Sequence, residues 1–172
     1  MIAMALAGEP DLLIADEPTT ALDATIQAQI LDLLATIRAE TGMAMVLISH
    51  DLGAVSAVCD RAAVMYAGRV VEMNRTAALF SSPRHPYTRG LFDAIPQIDG
   101  DRRRLNPIQG TVPDPRALPR GCAFAPRCGS ASARCATRAP QLATTGANGL
   151  LACFHPVVRA VSPVVTKELV LA

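Results

Sequence analysis

The run Leu12-Leu13-Ile14-Ala15, closed by Asp16-Glu17-Pro18-Thr19, restricts what this chain can fold into more than any other stretch. Four consecutive apolar residues after a turn-like Gly8-Glu9-Pro10-Asp11 predict a short strand buried on both faces. Pro18 stops further pairing. Two adjacent carboxylates are left at the strand's C-terminal end, where open α/β sheets bind their ligands. One of them can hold Mg²⁺ there, and the other can polarise a water for attack on a phosphoryl group. The plainer alternative is a polar cap where the strand leaves the core.

The neighbouring segments favour the chemical reading. Met1 to Ala7 reads as the buried end of an apolar helix stopped at Gly8. From Thr25 the residues Ile26, Ile30, Leu33, Leu34 and Ile37 recur at helical spacing, with Gly42 as the stop. Ala44 to Ile48 predicts a second buried strand, closed by Ser49-His50-Asp51, and Asp51 can cap a short helix carrying Leu52, Val55 and Val58. Ala63–Tyr66 and Arg69–Glu72, joined across Ala67-Gly68, predict a hairpin. This order gives an α/β fold with a mainly parallel sheet and an antiparallel appendage. A right-handed crossover sets both strand ends on one edge, so Asp16, Glu17 and His50 can converge on one ligand.

Composition divides the chain. Residues 1–80 hold ten acidic residues against four arginines, whereas residues 81–172 hold twelve basic residues against five acidic ones. Eleven of the thirteen prolines and four of the five cysteines also lie beyond residue 80, which predicts two kinds of structure, 1–80 and 81–172. The overall charge of only +1 argues against a nucleic-acid partner. No apolar run reaches the ~18 residues of a membrane helix. The N-terminus lacks the basic flank of a secretory signal, so the cysteines are expected to be reduced or metal-bound.

The first half resembles the C-terminal part of an ABC transporter ATPase domain. The strand ending in Asp16-Glu17 resembles the Walker B motif, Thr20-Ala21-Leu22-Asp23 the D-loop, and Ile48-Ser49-His50-Asp51 the switch-histidine loop, with His50 lying 33 residues after Glu17. The resemblance implies ATP and Mg²⁺ as cofactors. It makes Asp16 the Mg²⁺ ligand, Glu17 the catalytic carboxylate, His50 the γ-phosphate contact and Asp23 a residue of the ATPase dimer interface. The Gly-rich phosphate loop with its Lys, the Gln loop and the Leu-Ser-Gly-Gly signature are missing, and no G-x-x-x-x-G-K-[ST] occurs in the 172 residues. The chain is therefore expected to be a C-terminal fragment, inactive toward ATP by itself.

In the second half Thr76 can cap a short helix through Phe80, and His85-Pro86-Tyr87-Thr88 leads into another that ends near Pro96. Residues 97–120, with Arg102-Arg103-Arg104, read as an extended surface segment. Cys122, Cys128, Cys135 and Cys153 come next, separated by five, six and seventeen residues in a context with little regular structure. Four clustered thiols suit zinc or an iron–sulfur cluster, and spacing alone leaves the metal open. The alternative is that they are small buried hydrophobes, the reading given to Cys59.

His85-Pro86-Tyr87-Thr88, Pro113-Asp114-Pro115 and Leu118-Pro119-x-Gly121-Cys122-x-Phe124-x-Pro126-Arg127-Cys128 resemble the C-terminal extension of oligopeptide and dipeptide importer ATPases. That resemblance implies a [4Fe–4S] cluster on the four cysteines, with zinc as the alternative. It also implies an ATP-hydrolysing subunit on the cytoplasmic face of the inner membrane. The implied partners are a second ATPase subunit, two membrane permeases and an extracytoplasmic peptide-binding protein, with no nucleic acid. A different class of function stays open: a non-catalytic metal-binding module that docks on the transporter.

Overall fold

The computed structural model describes residues 2–95, 107–146 and 148–158. The chain divides into two compact units between Cys59 and Asp60.

In the first unit, helix α1 (Ile2–Leu6) leads to strand β1 (Leu12–Asp16), helix α2 (Ala24–Thr41), strand β2 (Ala44–Ile48) and helix α3 (Leu52–Val58). The strands pair in parallel, Leu12 opposite Ala44 through to Asp16 opposite Ile48, and α2 is the crossover that parallel pairing requires. The caps of α2 arise from its sequence. Asp23 accepts the Ile26 N–H at 2.9 Å, and Gly42 adopts the left-handed conformation at φ 72° that costs Gly nothing sterically. Leu13, Leu34 and Met43 form the small core, flanked by Ile2, Leu6, Ile30, Ile37 and Met45.

Two expectations about this unit are corrected. The strands are covered on one face only: Leu13 and Ala15 are buried, while Leu12, Ile14, Val46 and Ile48 are about half exposed or more. The described residues supply a single helical layer, so only alternate side chains find cover. Helix α1 is likewise not buried, Met4 being 80% exposed. Only Ile2 and Leu6 on one side reach the core.

The second unit contains strands β3 (Arg61–Tyr66) and β4 (Arg69–Arg75), helices α4 (Thr76–Ser81), α5 (Pro86–Asp93) and α6 (Ala133–Thr137), and strands β5 (Ala143–Thr145) and β6 (Gly149–Leu151). The hairpin turn is Ala67-Gly68 at φ 47° and 76°, the two positive values a type I′ turn demands. The sheet order is β3-β4-β6-β5, antiparallel throughout. Among the described residues one strand pairing is thus parallel and three are antiparallel, and the mainly parallel sheet is not found. The cause is β6, which pairs with β4 through Glu72–Leu151 and Met73–Leu150. The same pairing holds the hairpin in one unit with the later residues, so the compositional boundary near residue 80 falls inside this unit.

All six aromatic residues belong to this unit, and they organise its core. Tyr66 lies edge-on to Tyr87 at 4.7 Å and to Phe124 at 5.2 Å, among buried Val64, Val71 and Leu79. Arg127 ties the segment before it to this core. Its guanidinium donates to the carbonyls of Gln109 and Ile108 and to the Tyr66 hydroxyl, at 2.9, 3.0 and 3.3 Å. Pro96, Arg102-Arg103-Arg104 and most of the first half of the segment expected to be extended lie outside the described residues.

Candidate functional site

The first candidate site forms where β1 and β2 end side by side. Glu17 directly succeeds β1 with φ 44°, a left-handed conformation that a non-Gly residue holds only when its surroundings impose it. Its N–H donates to the Ile48 carbonyl at 2.9 Å, and its carbonyl accepts from the Thr20 N–H at 3.1 Å. Each carboxylate oxygen is also engaged. Thr20 Oγ1 donates to Oε2 at 2.9 Å, and His50 Nδ1 lies 2.9 Å from Oε1. The hydrogen bond to His50, reinforced by that to Thr20, holds the Glu17 carboxyl below its ordinary value. The same bond, with the charge of Glu17, raises the imidazole of His50.

Sequence order predicts that Glu17 and His50 meet, and the structure joins them directly. Asp16 is exposed at the last position of β1, and among the described residues its carboxylate makes no hydrogen bond or ion pair. Asp23 sits apart from the pair as the N-cap of α2. Gln27, to which no motif points, donates its amide to Asp51, and Asp51 also caps α3 by accepting the Gly53 N–H at 2.8 Å. Only Asp51's capping role has a sequence signal, because the Gln27 contact spans 24 residues.

The second candidate site belongs to the other unit. A turn carries Cys122, a 3-10 turn (Ala125–Arg127) delivers Cys128, α6 carries Cys135, and Cys153 lies just past β6. The Cys122 N–H donates to the Cys135 carbonyl at 2.8 Å. This close approach needs Gly121, where an added Cβ would lie 2.1 Å from the Cys135 carbonyl oxygen. All four cysteines line one small cavity with His85, Phe124 and His155, and no disulfide joins them. Burial raises the Cys128 thiol and pushes that of Cys153 up to about 11, with the other three thiols adding to the rise. The donor set suits a thiolate-bound metal, yet among the described residues no three His, Cys, Asp or Glu side chains are gathered closely enough to hold an ion. The sulfurs share a cavity without closing on a common point.

Two buried polar residues support this cavity. His85 is 1% exposed. It caps α5 by accepting the Tyr87 N–H on Nδ1 at 3.0 Å, and burial lowers its pKa to about 4, so the ring is neutral with its proton on Nε2. Glu72, 3% exposed, accepts the N–H groups of Arg84 and His85 at 2.8 and 2.9 Å. The hairpin pattern marks it only as a strand residue. A charged residue at a buried position of a hairpin is the signal that could have found it.

Paired carboxylates and a histidine thus stand at two parallel strand ends in the first unit, and four cysteines line one cavity in the second. Residues 71–135 match the family model described as oligopeptide/dipeptide transporter, C-terminal region. The chain carries the C-terminal domain found in the ATP-binding proteins of oligopeptide/dipeptide ABC transporters.

The oligopeptide transport ATP-binding protein AppD of Bacillus subtilis is 52% identical over 154 residues, covering 90% of this chain and 47% of AppD. The dipeptide transport ATP-binding protein DppD of the same organism is 55% identical over 128 residues, covering 74% and 38%. A peptide import ATP-binding protein of Brucella abortus is 55% identical over 146 residues, covering 85% and 44%. The chain thus spans less than half the length of these relatives. Among solved structures, cbiO1 from Clostridium perfringens, part of the ABC transporter complex cbiONQ, aligns at 37% identity. That alignment covers 46% of this chain and 32% of cbiO1, with a TM-score of 0.44.

Proposed function

We propose that this chain is part of the ATP-hydrolysing subunit of a bacterial peptide importer, with residues 1–80 serving nucleotide hydrolysis and residues 81–172 forming the transporter-specific extension. The observation that carries this reading is the Glu17–His50 hydrogen bond at adjacent strand ends, in a chain about half identical to peptide-transport ATP-binding proteins. Phosphoryl transfer to water asks a protein mainly for charge neutralisation and an oriented nucleophile. Bound Mg²⁺ supplies charge neutralisation at the phosphates, and the unpartnered Asp16 carboxylate is the residue to hold it. Glu17 orients and deprotonates the attacking water, its carboxylate kept ionised by His50 and Thr20. His50, once a γ-phosphate is present, exchanges its bond to Glu17 for one to that phosphate. Asp23 serves the interface with a second ATPase subunit as well as capping α2.

The 172 residues contain no Gly-rich phosphate loop, so by themselves they are expected neither to bind nor to hydrolyse ATP. In this reading the complete machine comprises a second ATPase subunit, two permeases and an external peptide-binding protein, and the subunit lies at the cytoplasmic membrane face. The four cysteines, which line one cavity, are assigned to a [4Fe–4S] cluster, with zinc as the alternative occupant. A bound cluster would supply a rigid cross-link of the extension, held by the thiolates of Cys122, Cys128, Cys135 and Cys153 around the cavity they line.

The decisive experiment is Glu17→Gln in a subunit that joins this chain to an upstream half bearing the phosphate loop. Turnover is expected to fall by roughly a hundredfold or more, the usual worth of a general base, with ATP binding retained. Undiminished turnover overturns the assignment, as does Mg²⁺-dependent ATP hydrolysis by the 172 residues alone.

A further inference from the structure

In the second unit Arg84, Arg120, Arg134 and Arg138 line a single open groove of about 580 Å³, and among the described residues no carboxylate lines it. Three acidic groups among the described residues of this unit are engaged elsewhere. Glu72 holds two backbone N–H groups with its two oxygens, Asp93 pairs with Arg89 at 2.9 Å, and Asp114 accepts the Arg116 N–H at 2.8 Å. Among the described residues none of the four guanidiniums makes an ion pair or a hydrogen bond, and Arg134 stacks on the Phe154 ring at 4.0 Å.

Four like charges with no counter-ion among the described residues repel one another, and an anion of high valence removes that repulsion. Guanidinium forks fit phosphate oxygens two at a time, and they are weakly hydrated enough to do so in a groove. The volume falls within the range of small-molecule sites. The Arg134–Phe154 pair adds a flat surface against which a planar group could lie.

We propose that this groove binds a small polyphosphate-class anion, a ligand separate from the nucleotide assigned to the strand-end site. Cys153 and Phe154 line both the groove and the cysteine cavity, so an occupant would sit against the thiol cluster and couple to it. The proposal does not rest on ATP hydrolysis by Glu17 and can stand or fall apart from it.

Calorimetric titration of the full chain with inorganic tripolyphosphate tests it, with citrate as the carboxylate arm. Saturable binding of one tripolyphosphate is expected, with citrate weaker. Arg120→Gln combined with Arg138→Gln should weaken binding by roughly tenfold or more, since each lost charge-assisted contact carries about that factor. Arg116→Gln, outside the groove, should leave it unchanged. If the double variant does not fold, phenylglyoxal labelling of the unaltered chain gives the same answer: tripolyphosphate should protect Arg120 and Arg138 but not Arg116. Absence of saturable binding, citrate binding as tightly as tripolyphosphate, equal loss in Arg116→Gln, or uniform protection of all three arginines overturns the proposal.

Discussion

Glu17 divides its two carboxylate oxygens between a hydroxyl and an imidazole, and it does so from a left-handed backbone that is sterically disfavoured for any residue with a Cβ. The adjacent strand secures that conformation by accepting its N–H. Because Glu17 is lowered from 4.5 and His50 raised from 6.5, their contribution to the fold is complete between those two values. It is lost as pH rises through the raised folded value of His50, and lost again as pH falls through the lowered folded value of Glu17. Both groups are open to solvent, so the effect on overall stability is small, but the titration itself is readable. Imidazole nitrogen shifts tracked by NMR are expected to place the His50 pKa above 6.5 and to move it down toward that value in Glu17→Gln. A His50 titration indifferent to Glu17 would show that the pair does not persist in solution.

At the scale of elements, the sequence makes legible whatever short-range chemistry decides. Gly42 ends α2, Asp23 and Asp51 cap helices, and Ala67-Gly68 turns the hairpin, each because one residue's conformational range or hydrogen-bonding reach settles it. Thr76 is not the cap its hydroxyl suggests: Arg75 occupies the cap position of α4 and makes no side-chain cap bond. The strands β5 and β6 leave no sequence signal because Ala143-Thr144-Thr145 and Gly149-Leu150-Leu151 are too short to show a period. They exist because β4 offers an edge, which is tertiary information. Gly121 shows the same limit, since its motif is visible but its reason, the backbone of Cys135 and Ala136 at its α-carbon, is not. Gly121→Ala must push those segments apart, at a cost of about 1–3 kcal/mol, and it should open the cysteine cavity. Protein purified without oxygen is expected to carry iron and sulfide, and Gly121→Ala to lose them while Gly129→Ala, at an open position, keeps them. Metal-free protein with four thiols reactive toward a disulfide reagent would overturn the cluster assignment.

At the scale of the whole molecule, the apolar run of β1 is only half accounted for within these residues. Cover on both faces of Leu12 to Ala15 is expected because the run is continuous, and continuity does signal two covering layers in parallel sheets. The described residues provide one layer, and a sequence pattern states that a face is apolar without saying which residues cover it. Ile14 and Val46, register partners on the outer face, are 63% and 47% exposed, with Leu12 and Ile48 beside them. A contiguous apolar surface of this kind binds apolar dyes and partners. The 172-residue chain is therefore expected to bind anilinonaphthalene sulfonate and to self-associate with rising concentration. Ile14→Thr with Val46→Thr keeps the β-branched shape that suits a strand and places hydroxyls where water already reaches. It should lower both dye fluorescence and apparent mass while changing unfolding free energy by no more than about 0.5 kcal/mol, the usual range for exposed positions. If instead the double variant unfolds, the outer face is packed in solution. If the dye signal is unaltered, the exposed surface lies elsewhere.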